Sequence, residues 1–217
     1  MTLPRAGPPA TESAFRRYTE LAPAYDALTD WAAPYRSQAV HELGPRPGET
    51  VLDVGCGTGL NFGSIEDRIG PSGLLIGIDL CPEMLARARA RTDRAGWDNV
   101  VLVCSPIERA ALPAPPHGVL FCAVHDILRS PSALHALLRQ VPEGSRVVAA
   151  GAKWVPWWVP ASPAINWSVW AANAPYVTTF EGFDRPWSHL ADLLPGLTVH
   201  ELDFGSFYLA SGTTGPE

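Results

Sequence analysis

Between Thr50 and Ala150 short apolar runs alternate with segments whose apolar residues recur every three or four positions. The runs Thr50 to Val54, Leu74 to Ile78, Asn99 to Val103, Val119 to Ala123 and Arg146 to Ala150 are too short for helices and predict strands. Between them, Phe62, Ile65 and Ile69 share one helical face, and Met84, Leu85 and Ala88 share another. Leu134, Leu137, Leu138 and Val141 fall at i, i+3, i+4 and i+7 for a third helix. Gly70-Pro71-Ser72-Gly73 stops the first helix; Pro82 and Glu83 open the second, which runs to Gly96. Strand and helix in alternation predict an α/β fold, a Rossmann-like doubly wound sheet covered on both faces.

Upstream, Phe15, Tyr18, Leu21, Tyr25, Leu28 and Tyr35 keep helical offsets, and Pro23 and Pro34 divide this stretch into two or three short helices. Downstream of the fifth strand the alternation lapses. Trp154, Trp157, Trp158, Trp167 and Trp170 crowd into a segment that Pro156, Pro160 and Pro163 are expected to keep from being one regular helix. A helix around Phe183 to Leu194 and two strands, Thr198 to Leu202 and Ser206 to Ala210, joined at Asp203-Phe204-Gly205, complete the pattern. The expectation is one domain: a loose tail (1–11), a helical lid (12–43), a core (44–152), an aromatic cap (153–182) and a C-terminal helix and hairpin (183–217). Its sheet would have seven strands, mostly parallel with the last antiparallel.

The 217 residues suit one hydrophobic core. Although 47% of them are hydrophobic, no apolar stretch reaches the roughly 20 residues of a membrane span. Met1 to Pro9 lacks the basic and apolar parts of a secretion signal, so a cytoplasmic location is expected. The net charge of -6 argues against a nucleic-acid partner. Arg87, Arg89, Arg91 and Arg94 read as the solvated face of a helix. Cys56, Cys81, Cys104 and Cys122 show no CxxC spacing, so small, reduced, half-buried side chains are expected and no metal is required.

The chemistry concentrates in Asp53-Val54-Gly55-Cys56-Gly57-Thr58-Gly59, between a predicted strand and a predicted helix. Glycines permit a sharp turn and a close backbone approach, and the helix beyond offers free N–H donors. The spacing is GxGxG with an acid two residues earlier, unlike the GxGxxG of dinucleotide sites. That acid would repel a phosphate and suits an ammonium group, such as the methionine end of S-adenosylmethionine. Asp79, closing the second strand, can accept the hydroxyl hydrogens of a ribose in either cofactor.

Val51 to Leu60, Gly77-Ile78-Asp79-Leu80 and Pro82 to Ala88 together resemble the class I S-adenosylmethionine-dependent methyltransferases, most closely the ubiquinone/menaquinone methyltransferase-like group. The resemblance spans about residues 12 to 150. It implies that Gly55, Gly57 and Gly59, with Cys56 and Asn61, surround the methionine moiety and that Asp53 orients the loop and the amino group. Asp79 would hold the ribose, with Leu80, Met84, Pro106, Ile107 and Cys122 around the rest of the cofactor. Ser105 stands where many relatives carry an Asp that binds the adenine amino group. Tyr18 and Tyr25-Asp26 keep the Tyr-x6-Tyr-Asp spacing of a lid over the cofactor.

Ligands of such sheets bind beyond the carboxyl ends of the strands, which brings in Cys122-Ala123-Val124-His125-Asp126. His125 is the candidate base, or else it hydrogen-bonds the following helix; Asp126 is expected to cap that helix. Trp154, Trp157, Trp158 and Trp170, with Tyr176, Phe180, Phe183 and Trp187 adding to the aromatic surface, would line a pocket for a small apolar or aromatic acceptor, or cage an amine. The same aromatics would also suit a satellite core or a homodimer contact. Membrane docking ranks lower because no basic surface accompanies them. The implied reaction is methyl transfer to O, N or C. The rivals are a protein that binds S-adenosylmethionine without methyl transfer, as a cyclase-like enzyme or a binding module, and, more weakly, an NAD-dependent oxidoreductase.

Overall fold

The computed structural model describes residues 11–215, with side chains from Phe15 onward. The expected tail therefore falls almost wholly outside the described residues. Three helices, α1 (Thr11–Leu21), α2 (Tyr25–Thr29) and α3 (Ala33–Leu43), precede the sheet. Pro34 lies in the first turn of α3, where no intrahelical N–H is required, and Gly44 in the left-handed conformation ends the helix.

The alternating core follows as β1 (Thr50–Val54), α4 (Phe62–Ile69), β2 (Leu74–Asp79), α5 (Pro82–Ala95), β3 (Val100–Cys104), β4 (Gly118–Cys122), α6 (His125–Leu128), α7 (Pro131–Leu138) and β5 (Arg146–Ala152). After these come α8 (Ser162–Asn173), α9 (Ser188–Leu193), β6 (Thr198–Leu202) and β7 (Phe207–Thr213). The seven strands lie in the order β3-β2-β1-β4-β5-β7-β6. β7 runs antiparallel to both β5 and β6, and the other pairings are parallel.

The two-residue period of the strands divides the core. Leu52 and Val54 of β1 with Ile76 and Ile78 of β2 face Leu128, Leu134, Leu137 and Leu190 on one side. Val51, Leu75 and Leu120 face Val40, Leu43, Phe62 and Ile65 on the other. Each fully buried Leu, Ile or Phe contributes about 1.5–3 kcal/mol, so a register slip of one residue would exchange both faces and is strongly disfavoured. No described helix is long and apolar enough to cross a membrane.

Two elements differ from expectation. The tryptophan-rich cap contains a regular twelve-residue helix, α8, because Pro163 sits in its first turn, where proline is tolerated. Asn166 fastens that helix to the chain leaving β5, accepting the Val155 N–H at 2.8 Å and donating to the Val155 carbonyl at 2.9 Å. The helix expected from Phe183 is shorter and starts at Ser188, since Pro186 disfavours helical backbone in the residue before it.

Candidate active site

The strand order reverses between β1 and β4, and a cleft opens at the carboxyl ends of these strands. Gly55, Gly57 and Gly59 all take the left-handed conformation, but for different reasons. A Cβ on Gly55 would stand 2.6 Å from Val124, and one on Gly59 would stand 2.7 Å from the Phe62 ring. A Cβ on Gly57 would meet nothing within 4 Å, so its Cα faces open space. Gly59 serves loop packing and does not line the cleft, a correction to the expectation that all three glycines line the ligand.

Asp79 holds the loop. One carboxylate oxygen accepts the Gly57 N–H at 2.9 Å and the other accepts the Cys81 N–H at 2.9 Å. Each oxygen keeps a lone pair for a further donor. The Cys56 N–H adds a bond to the Ile78 carbonyl at 2.9 Å. Asp53 lies beneath the loop and outside the cleft, where both its oxygens accept from the Asn61 amide at 3.1 Å. Burial raises its pKa to about 7; the Asn61 hydrogen bond opposes that rise and the nearby Asp79 adds to it. A direct contact of Asp53 with a ligand is therefore not part of the geometry.

Two adjoining cavities, of about 170 and 100 Å³, share Tyr25, Gly55, Gly57, Cys122, His125 and Tyr176. The first also takes in Tyr18, Asp79, Leu80 and Met84, and Ser105, Pro106 and Ile107 after β3. The Ser105 hydroxyl donates to the Pro106 carbonyl at 3.0 Å. The second reaches Cys56 and Asn61 and is walled by Trp31, Tyr35, Phe183, Phe207 and Tyr208. Acids line the first cavity: Asp79, Glu108 and Asp126. Among the described residues the second has no carboxylate, and its one permanent charge is Arg36.

His125 begins α6 and lines both cavities. Its Nε2 lies 3.2 Å from the Glu181 carbonyl, which can only accept, so Nε2 carries the hydrogen and Nδ1 is a bare acceptor. Nδ1 is buried without a hydrogen-bond partner among the described residues. Burial lowers the imidazole pKa to about 4; the Glu181 hydrogen bond opposes this and the Arg129 charge reinforces it. Asp126 does not cap α6, whose preceding residue is Val124. Its carboxylate instead accepts the Thr178 N–H at 3.1 and 3.2 Å, fixing the chain that follows α8. Ala123, at the elbow between β4 and α6, has a φ of 57°, a strained conformation for a residue with a Cβ. Burial pushes the Cys122 thiol up to about 12, so it is protonated.

The tryptophans lie elsewhere. Trp157 and Trp158 are 84% and 68% exposed, Trp170 is 50% exposed, and none of the three lines either cavity. Trp154 also lies outside both, stacked on Phe180 with 5.1 Å between ring centroids. Apart from Phe183, the aromatic wall comes instead from the segment before β1 and from β7, which are too far apart in sequence for spacing to associate them. Tyr35 stacks on Phe207 at 4.2 Å and donates to Asp203. Tyr18 donates to the Tyr176 carbonyl at 2.8 Å, and Tyr25 meets the edge of Tyr176 at 5.7 Å. Of the aromatics expected beside the tryptophans, Tyr176 lines both cavities and Phe183 the second, whereas Phe180 and Trp187 line neither. Cys56 and Cys81 are buried and Cys104 is exposed, against the expectation of uniform half-burial. No metal-holding cluster occurs among the described residues.

Residues 51–144 match the methyltransferase domain family. The chain is 30% identical to aklanonic acid methyltransferase of a Streptomyces species, over 53% of this chain and 52% of that protein. It is 28% identical to a 2-phytyl-1,4-naphtoquinone methyltransferase of Nostoc, over 56% of this chain and 58% of that protein. The chain thus spans little more than half the length of these curated relatives. Among solved structures it shares its fold with the N-methyltransferase NodS of Bradyrhizobium japonicum in complex with S-adenosyl-l-homocysteine. That match has a TM-score of 0.59 and 16% identity, and it covers 95% of this chain and 98% of that one.

Proposed function

We propose that the chain is a class I S-adenosylmethionine-dependent methyltransferase that methylates O, N or C of a small aromatic or apolar molecule; the match of residues 51–144 to the methyltransferase domain family and the shared fold support this reading. The observation that carries the reading is the second cavity, which meets the first at Gly55, Gly57 and His125 and gives an acceptor room beside the cofactor. A module that only bound the cofactor would need no such space. The names of two relatives, aklanonic acid methyltransferase and 2-phytyl-1,4-naphtoquinone methyltransferase, support a small molecule.

The first cavity fits the cofactor. The open face of Gly57 admits the methionine moiety, the free lone pairs of Asp79 suit a ribose, and Leu80, Met84 and Ile107 offer apolar walls to adenine. The acids Asp79, Glu108 and Asp126 give this cavity a negative field suited to a cation. S-adenosylmethionine supplies an electrophilic methyl on a positive sulfur, and displacement is in line. The chain's contribution is then mostly alignment. A small turn of the His125 ring would bring its bare, buried Nδ1 to the cavity, where it would take the proton from an acceptor hydroxyl as that oxygen becomes strongly acidic on methylation. A weak base suffices for such an acid.

The test has two stages. Calorimetric titration with S-adenosylmethionine and S-adenosylhomocysteine establishes the cofactor. Formation of S-adenosylhomocysteine is then followed across a panel of hydroxylated and amino aromatics. His125→Ala should lower kcat about 100-fold with the cofactor Kd unchanged. Tight cofactor binding with no turnover on any acceptor would replace this reading with that of a binding protein.

A further inference from the structure

We infer that the second cavity recognises a planar aromatic acceptor bearing an anionic group, a carboxylate or phenolate, and that Arg36 pairs with that group. The inference rests on the methyl-transfer reading for the identity of the ligand as an acceptor, and it goes beyond it in assigning the acceptor's charge.

Arg36 projects from α3 into the second cavity and does not line the first. One of its nitrogens donates to the Thr29 carbonyl at 2.9 Å, which fixes the guanidinium in place. Among the described residues it forms no ion pair, in contrast to Arg91 and Arg146. A guanidinium has five N–H donors in a fixed fork, so one bond to a carbonyl leaves most of its capacity unused. Its charge reaches the cavity wall, where it opposes the rise in pKa that burial imposes on Tyr25 and Cys122.

The surroundings lack the usual answer to such a charge. The carboxylates at the cleft line the first cavity, and the second offers Arg36 only aromatic rings, small residues and neutral polar groups. A half-buried guanidinium among apolar walls is stabilised by a ligand anion, most strongly by one that accepts two parallel hydrogen bonds. Aromatic side chains make up much of this lining and share it with the small residues Ala150, Gly151 and Ala152, a composition that suits a planar aromatic ligand. Because Arg36 is absent from the junction that His125 occupies, it holds the end of the acceptor remote from the atom that is methylated.

The experiment compares 6-hydroxy-2-naphthoate with its neutral isostere 6-hydroxy-2-naphthamide. Each is titrated into the full chain with and without saturating S-adenosylhomocysteine. The acid is expected to bind about tenfold or more tightly than the amide, and to lose that preference in Arg36→Gln while keeping part of it in Arg36→Lys. Thermal melting and the S-adenosylhomocysteine affinity of both variants show whether each is folded. If Arg36→Gln does not fold, the acid and amide affinities of the unaltered protein and of Arg36→Lys still decide. Equal affinities, no binding of either probe, or an undiminished preference in Arg36→Gln would overturn the inference. Failure of S-adenosylhomocysteine to bind would instead overturn the cofactor reading, and the comparison without it would still test the anion.

Discussion

The carboxylate of Asp79 accepts the backbone N–H of Gly57 at 2.9 Å, so the end of β2 clamps the loop that leaves β1. Asp79 therefore shapes the loop, and under the proposed function it would offer oxygens to a ribose as well. In Asp79→Asn one oxygen becomes an NH₂ donor, which cannot serve both backbone N–H groups and the ribose. The cofactor Kd should weaken by about 30- to 150-fold, equivalent to about 2–3 kcal/mol for hydrogen bonds to a charged group. Calorimetry reads this directly, and an unchanged Kd would remove Asp79 from the site.

Gly57 and Gly59 separate binding from stability. Alanine in the left-handed conformation costs about 1–2 kcal/mol at either position. In Gly57→Ala the methyl projects into open space, so melting falls by that strain alone while cofactor affinity drops at least tenfold. In Gly59→Ala the methyl meets the Phe62 ring, and overpacking adds about 1–3 kcal/mol of lost stability. Melting curves and titrations on both variants check the contrast; similar losses of affinity at equal stability would refute it.

Asp53 makes cofactor binding depend on pH. In the free protein its pKa of about 7 exceeds that of an unfolded Asp, so between about pH 4 and 7 the folded state binds more protons than the unfolded. Its contribution to stability therefore falls as pH rises through that window, and Asp53→Asn should flatten the fall. A cationic ligand above the loop favours the ionised form. Cofactor binding at pH 6 to 6.5 should then release a proton, with affinity rising up to about pH 7. Titration in two buffers of different ionisation enthalpy measures the release, and none should occur in Asp53→Asn.

Asp26 ties the helices before β1 to the glycine loop. It accepts the Thr58 hydroxyl at 2.5 Å and pairs with Arg91 at 2.7 Å, while Arg91 also donates to the Thr58 carbonyl at 3.0 Å. Both ionic side chains are partly exposed, so the pair contributes less than about 1 kcal/mol. Asp26→Ala should leave melting nearly unchanged yet raise the cofactor dissociation rate several-fold, because the link restrains the segment carrying Tyr18 and Tyr25. Stopped-flow fluorescence reads that rate; an unaltered rate would deny these helices a role as a lid.

The α/β order, the five core strands to within one or two residues at most ends, and the placing of the glycine loop and Asp79 at the ends of neighbouring strands were legible in the sequence; that Asp79 clamps the loop was not. They depend on local period and on motif residues 22 to 24 positions apart. His125 was legible as well, because it immediately follows the end of a strand at the reversal of the sheet. The acceptor wall was not. The tryptophans of the cap are the conspicuous aromatics in the chain, yet α8 turns Trp167 and Trp170 outward, and the wall is assembled from Trp31, Tyr35, Phe207 and Tyr208 with Phe183, the one member the sequence had pointed to. Composition counts aromatic residues but cannot say which of them face inward. The sequence by itself determined the elements, their order and the place of the glycine loop, since these follow from the spacing of apolar residues, glycines and acids along the chain. Only the tertiary structure decided which glycine faces the ligand, that Asp53 lies beneath the loop, and that Arg36 stands alone among aromatic rings. Those are distances between groups far apart in the chain, set by how the helices close over the sheet.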